Sequence, residues 1–171
     1  RLARQDWRAA AGKTLVADFA ENTCQTAGGG LYSMRRGGRK VVVQLGVHLS
    51  IAPRFTAAAE RAGEIGCAAL QIFCCNPRGW KKKPLADNEV ACFKLAVREA
   101  GIRSVVVHAS YLINLAAPDD QYRKSVSAFI DELRRARKLG AAEFVIHPGS
   151  HRGAGADAGI KRVARALNRA C

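Results

Sequence analysis

Residues 69–107 have the sequence ALQIFCCNPRGWKKKPLADNEVACFKLAVREAGIRSVVV, in which two short apolar runs lie on either side of a longer mixed segment. The apolar run Ala69–Phe73 predicts a short buried strand. Asp87 is predicted to cap a helix that closes on Gly101. Residues 104–107 predict the next strand. Two fully apolar strands separated by a helix are typical of a parallel sheet covered by helices.

The same strand-then-helix order extends to both sides of this stretch. Before it, residues 41–47 form a β-branched run that predicts a buried strand, and residues 55–65 predict a helix. After it come an amphipathic helix over residues 121–139, a strand over residues 144–146 and a helix that contains residues 160–167. Glycines that follow the first three helices support these boundaries.

Four strand–helix units in succession favour either a doubly wound sheet or a β/α barrel. A complete barrel has about 250 residues and eight units, so four units correspond to half of one. We therefore predict an α/β fold that consists of the amino-terminal four β/α units of a TIM-type barrel. The chain ends at Cys171 within or just after a helix, and we expect it to be truncated.

Composition changes near residue 40. Residues 1–40 combine small residues, glycines and a basic run without sustained apolar periodicity, which predicts a disordered or non-native leader. Residues 41–171 then form the half-barrel domain. Met34 precedes the first predicted strand and the chain begins with Arg1, so we expect natural translation to start at Met34.

The chain is strongly basic, with 28 Lys/Arg against 14 Asp/Glu and a formal net charge of +14. Residues 1–40 hold eight of the basic residues and three of the acidic ones, so the surplus extends into the predicted domain. Such a surplus favours an anionic partner such as nucleic acid. High genomic GC content, which enriches arginine, is the alternative explanation.

The sequence lacks the roughly 20 consecutive apolar residues of a membrane span and the apolar block of a secretory signal. We expect a cytoplasmic protein with no membrane partner. The six cysteines form no C-x-x-C pair, and Cys74 and Cys75 are adjacent in the chain. Adjacent cysteines bridge only with strain, so reduced thiols are predicted.

Three histidines directly follow predicted strands, namely His48, His108 and His147. The carboxyl ends of parallel strands meet at one mouth, where ligands bind in both candidate folds. A single histidine at such a place is usually a satisfied polar residue. Imidazoles at several strand ends converge as metal ligands do, and this coincidence favours a metal site.

A basic segment, NPRGWKKKP at residues 76–84, follows the second strand of the predicted sheet. It places an aromatic ring among four cations; the residues are Arg78, Trp80, Lys81, Lys82 and Lys83. A solvated charged surface is the simplest explanation of such a run. The alternative is a DNA-contacting loop in which the lysines and the arginine hold phosphates.

Residues 108–116, HASYLINLA, resemble the first signature of the endonuclease IV family of apurinic/apyrimidinic endonucleases. Three further segments resemble family segments in the same order: GVHLS at 46–50, QIFCCNPRGW at 71–80 and HPGSH at 147–151. The resemblance covers residues 43–171. It implies a β/α barrel whose mouth holds three zinc ions and which cleaves DNA on the 5′ side of a site that has lost its base.

The resemblance also implies roles for the histidines. His108 and His147 match two ligands of one zinc ion, whereas His48 and His151 match nearby histidines that we do not take to be ligands. No catalytic residue is implied apart from the metal site. The family's other ligands, including a glutamate that bridges two metals, come from the second half of the barrel. The segment 21–23, Glu-Asn-Thr, only superficially resembles the motif that carries that glutamate.

For DNA, the resemblance implies that Arg78 enters the base stack, and that Tyr111 and Leu112 wedge into the minor groove of bent DNA. Ordinary core packing is the alternative for these last two residues. The implied partner is double-stranded DNA with abasic sites. The complete enzyme is expected to be monomeric.

The resulting hypothesis is a zinc-dependent endonuclease of base-excision repair, of which this chain is a fragment that is inactive alone. One alternative is a sugar isomerase or epimerase of the xylose-isomerase-like barrels, which also place metal ligands at strand ends. That alternative gives no reason for NPRGWKKKP or HASYLINLA. The other alternative is a non-catalytic basic DNA-binding fragment.

Overall fold

The computed structural model describes residues 18–19, 22–23, 25–26, 31–36 and 39–170. The first strands are β1 (Asp18–Phe19), β2 (Asn22–Thr23), β3 (Gln25–Thr26), β4 (Leu31–Arg36) and β5 (Arg39–Gln44). They pair in antiparallel fashion, β1 with β2, β3 with β4 and β4 with β5. The predicted leader spans these strands and residues that lie outside the described ranges. Its assignment as disordered or non-native and the boundary at residue 40 stay predictions.

From residue 46 onward the chain alternates strictly between strands and helices. The strands are β6 (Gly46–His48), β7 (Ala69–Phe73), β8 (Ser104–His108) and β9 (Glu143–Val145). The helices are α1 (Phe55–Ile65), α2 (Asp87–Glu99), α3 (Asp119–Leu139) and α4 (Ala156–Ala170). The strands lie side by side in chain order and all run parallel. The four predicted β/α units are confirmed.

The first predicted strand, over residues 41–47, is wrong in its extent. The run divides at Leu45: β5 pairs with β4, and only β6 belongs to the parallel sheet. Leu45 lies between the two strands and is exposed, and β6 is the edge strand of the described parallel sheet. Gly46 lets β6 approach β7 closely, since a Cβ there would lie 2.6 Å from the carbonyl oxygen of Ala69. A β-branched run predicts a strand but does not identify its partner.

Helices α1 and α3 end at the glycines that were predicted to close them. Gly66 and Gly140 adopt left-handed conformations, with φ of 78° and 80°, and close α1 and α3. The predicted cap of α2 is wrong: the N-cap residue is Ala86, without a side-chain hydrogen bond. Asp87 is instead the first residue of α2, and its carboxylate pairs with the ammonium of Lys138 on α3 at 2.7 Å. The side chain that was predicted to cap α2 thus forms an ion pair with another helix.

The two faces of the sheet differ in burial, and the difference positions the site. On β7 and β8 alternate residues such as Leu70 and Val107 are fully buried against the helices, together with Phe93 of α2. The residues between them point to the opposite face, which is only partly buried and includes Gln71 and Phe73. This second face corresponds to the interior of a β/α barrel.

Two further features of the described residues concern membrane-crossing helices and cysteines. In that part of the chain, no helix combines the length and apolar character that crossing a membrane requires. The four described cysteines, Cys67, Cys74, Cys75 and Cys92, are free thiols.

Candidate functional site

The predicted metal ligands meet at the carboxyl ends of β8 and β9. His108 is the last residue of β8 and pairs in register with Phe73 and Val145 on the neighbouring strands. The rings of His108 and His147 have centroids 5.1 Å apart, and the ring of His48 lies 5.9 Å from that of His108. The parallel sheet therefore gathers three histidines that are distant in sequence.

His108 is held in one orientation. Its side chain is buried, at 8% exposure, and packs against the rings of Phe73 and Tyr111 at centroid distances of 5.4 and 5.9 Å. Nδ1 lies 2.7 Å from the carbonyl oxygen of Ala109, to which it donates a hydrogen bond. The proton on Nδ1 leaves the lone pair of Nε2 free for a metal, an arrangement common among metal-ligating histidines. His147 lies beside it and is exposed.

In His48 and His151, Nδ1 accepts a hydrogen bond. The amide of Gln71 donates to Nδ1 of His48 at 2.8 Å, so neutral His48 carries its proton on Nε2. Burial and the nearby His108 lower the pKa of His48 below its ordinary value of 6.5. Nδ1 of His151 accepts a hydrogen bond from the backbone N–H of Gly155 at 3.2 Å. That neither is a direct ligand stays a prediction.

Asn114 joins the loop after β8 to the loop after β9. Its Oδ1 accepts hydrogen bonds from the backbone N–H groups of Ser150 and Ala116 at 3.1 and 3.2 Å. Its amide nitrogen donates to the carbonyl of Ser150 at 3.0 Å. Gly149 completes the contact, because its φ of 93° suits glycine and its missing Cβ leaves room for the Asn114 side chain. This clamp fixes the loop that carries His147 relative to the loop that follows His108.

We expect Asn114→Ala to lower the free energy of unfolding by about 2 kcal/mol, because it removes the three hydrogen bonds that this buried side chain makes to the backbone of Ser150 and Ala116. Urea denaturation monitored by circular dichroism measures this change. Asn168→Ala, at an exposed position on α4, is the matched control and should change stability by less than about 0.5 kcal/mol. Equal effects of the two substitutions would contradict the clamp.

Residues 111–112, which are predicted to wedge into DNA, lie next to the histidines, since the ring of Tyr111 packs against that of His108. Tyr111 is 60% exposed, and Leu112 is partly buried. The backbone N–H of Tyr111 donates to the carbonyl of Pro77 at 3.1 Å. The two segments predicted to bind DNA, residues 76–84 and residues 111–112, are therefore in contact.

The basic segment lies along the rim of an open cleft. Lys81 and Lys83 are exposed and line a cleft of about 880 Å³, whose walls also include His48 and Tyr111. Arg78 is exposed as well. Trp80 is partly buried, and the ammonium of Lys124 lies 4.3 Å from the centroid of its ring. Cations thus border the same cleft as His48, whose ring lies 5.9 Å from that of His108.

Lys82 differs from its two neighbours, which corrects its prediction as a phosphate contact. Its side chain is only 13% exposed, and its ammonium lies 3.0 Å from Asp131, 3.1 Å from Glu132 and 3.1 Å from the carbonyl of Ala128. Burial opposes the charge, but hydrogen bonds and charges of the two carboxylates outweigh it and raise the pKa of Lys82 above 10.5. Lys82 therefore anchors the basic segment to α3.

Glu132 is the residue that the sequence reasoning missed. It is 1% exposed on α3, and its carboxylate accepts hydrogen bonds from the backbone N–H of Ser110 at 2.9 Å and from the Ser110 hydroxyl. Together with Lys82 it links α3, the basic segment and the loop after His108. Its spacing was the available signal, because Glu132 lies between Phe129 and Ala136 on the buried face of the helix.

Known proteins resemble this chain over most of its described length. A family model described as "Xylose isomerase-like TIM barrel" matches residues 59–171. A protein of Halothermothrix orenii named "Probable endonuclease 4" is 46% identical over 127 residues, which cover 74% of this chain and 46% of that protein. A protein of the same name from Methanoculleus marisnigri is 48% identical over 130 residues, 75% of this chain and 46% of that protein. The chain therefore spans about half the length of the curated relatives it matches.

Solved structures give the same result for the fold. Endonuclease IV from Thermus thermophilus matches with a TM-score of 0.65 and 37% identity, covering 75% of this chain and 47% of that one. A D-psicose 3-epimerase matches with a TM-score of 0.57 at 15% identity, covering 74% of this chain and 47% of that one. The second likeness concerns the fold alone.

Proposed function

The chain belongs to the xylose isomerase-like TIM barrel family and to its endonuclease IV members, and on that premise we propose that it is part of a zinc-dependent DNA-repair endonuclease. The proposed reaction is hydrolysis of the phosphodiester on the 5′ side of an abasic site in double-stranded DNA. One observation carries the proposal: the ring of His108 lies 5.1 Å from that of His147 and 5.9 Å from that of the exposed Tyr111, which lines the cleft bordered by Lys81 and Lys83. The proposed metal ligands therefore lie next to the surface that is proposed to face the DNA.

His108 and His147 are the residues that would hold zinc. Their chemistry fits the ion, because neutral imidazole is a preferred zinc ligand and the Nδ1 proton of His108 leaves Nε2 available. Zinc held there would act as a Lewis acid that polarises the phosphate and stabilises charge in the transition state. The residues of the chain contribute orientation: Phe73 and Tyr111 pack against the ring of His108, and Asn114 fixes the loop of His147.

The exposed residues at the rim are assigned to the DNA. Lys81 and Lys83 bind phosphates, and Arg78 reaches towards the base stack from the same segment. Tyr111, with most of its ring exposed, and Leu112 insert at the abasic site and hold the DNA bent. Trp80 packs against Lys124 and shapes the segment. The proposed complete enzyme acts as a monomer in the cytoplasm.

The two alternatives are less well supported. The likeness to an epimerase is at 15% identity, whereas the endonuclease 4 proteins are 46% and 48% identical. A non-catalytic DNA-binding fragment does not account for two histidines that lie together after neighbouring strands. Metal analysis combined with nicking of abasic duplex DNA separates these cases.

The cationic rim gives a prediction for DNA binding. Replacing Lys81 and Lys83 with alanine is expected to weaken duplex binding and to flatten its dependence on log salt by up to about 0.9 per lost phosphate contact. Lys82→Met is the matched control, since Lys82 contacts α3, and it should lower stability but leave the salt slope unchanged. Fluorescence anisotropy over a range of salt concentrations measures the slopes. A slope that changes only in Lys82→Met would refute this assignment.

A further inference from the structure

A second group of metal-ligand atoms lies behind the basic segment. Among the residues that the structure describes, Cys74, Cys75 and Glu132 form the one group of three such side chains whose ligand atoms all lie within 4.8 Å of one another. All three residues are buried. Both cysteines border the 880 Å³ cleft, which provides a path by which an ion can enter.

The spacing of these atoms suits a tetrahedral ion. Sulfur and oxygen ligands lie roughly 2.3 and 2.1 Å from zinc, which places them roughly 3.6 Å from each other in a tetrahedral site. Cys75 Sγ lies 3.5 Å from Glu132 Oε1. This pair therefore already has the required separation, and the sulfur of Cys74 supplies a third ligand.

Charge in the buried group also balances when a divalent cation is present. Two thiolates and the Glu132 carboxylate carry three negative charges. A divalent cation together with the ammonium of Lys82, which lies 3.1 Å from the Glu132 carboxylate, carries three positive charges. A buried group without net charge avoids the large cost of burying an unpaired charge.

We propose that Cys74, Cys75 and Glu132 bind a thiophilic divalent cation such as zinc or cadmium, at a site separate from His108 and His147. Binding forms two metal–sulfur bonds and releases both thiol protons to the solvent, with no change of oxidation state. Two soft sulfur ligands select zinc or cadmium over magnesium and calcium. The site does not depend on the proposed nuclease activity.

Cadmium tests this site, because thiolate–cadmium bonds absorb in the near ultraviolet. Titrating the reduced chain, residues 1–171, with cadmium chloride should produce this absorption and saturate at about one ion for the two cysteines. Cys75→Ser should weaken binding about tenfold or more. Cys92→Ser, at an exposed position on α2, is the matched control and should retain the full signal. The double substitution His108→Ala with His147→Ala should also retain it, which separates this site from the nuclease proposal.

Thermal unfolding of the wild-type chain provides a test that needs no variant. An ion that binds only the folded chain raises Tm by mass action, so cadmium should raise it. Absence of both the Tm increase and the thiolate–cadmium absorption would overturn the proposal. An absorption that is equally strong in Cys75→Ser and the wild type would overturn it as well.

Discussion

Replacing Glu132 with alanine is expected to lower the free energy of unfolding by about 3–5 kcal/mol. The substitution leaves the ammonium of Lys82 without its buried partner and removes the acceptor of the Ser110 backbone N–H. Because the pKa of Lys82 is raised, the stabilisation is complete below pH 10.5 and is lost only as the pH rises through the folded-state value. Urea denaturation at pH 7 therefore measures all of it.

The matched control is the neighbouring carboxylate. Asp131 contacts the same ammonium at 3.0 Å, but its side chain is 50% exposed. Water already screens that pair, so Asp131→Ala should cost less than about 1 kcal/mol. A loss for Asp131→Ala as large as that for Glu132→Ala would show that burial does not determine the strength of this network.

The second large effect concerns activity. In a protein that extends this chain to the full length of its relatives, His108→Ala and His147→Ala are each expected to reduce nicking of abasic DNA by about 10²-fold or more. Losing a metal ligand removes several kcal/mol of transition-state stabilisation, and each 1.36 kcal/mol corresponds to a factor of ten. A duplex with one tetrahydrofuran site, resolved on a denaturing gel, measures the rate without spontaneous strand cleavage.

His151→Gln is the control for this experiment, because His151 accepts a hydrogen bond from Gly155 and is not proposed as a ligand. It should retain activity within about tenfold. The chain of 171 residues alone should nick at the background rate, since a catalytic zinc usually has three protein ligands and His108 and His147 supply two. Chelator-sensitive nicking by this chain alone would mean that its ligand set is larger than proposed.

Local patterns were sufficient to predict most of the parallel sheet. An apolar run followed by an amphipathic stretch and a glycine specifies a strand, a helix and its end within a few residues. The exception at residues 41–47 has a physical cause, because the choice between β4 and β7 as partner depends on distant parts of the chain. The histidines could be predicted for the same reason as the strands, since they directly follow apolar runs.

The buried ion network could not be predicted in this way. Lys81, Lys82 and Lys83 are chemically identical in sequence, and only the path of the folded segment directs the middle one towards α3. For Glu132 the helical spacing places the residue on the buried face, but an acidic residue in a long polar helix is usually exposed, so the spacing alone did not decide its burial. Its burial depends on partners contributed by two other segments of the chain.

The Asn114 clamp determines which residues of the loop that carries His147 can be substituted. Its partners in the loop of His147 are the main-chain N–H and carbonyl of Ser150, which every residue except proline provides. Substitutions at residue 150 can therefore accumulate without loosening the clamp, whereas Gly149 and Asn114 cannot change independently of each other. Selection on this loop should thus act on backbone shape at residues 114 and 149 more than on the side chain at residue 150.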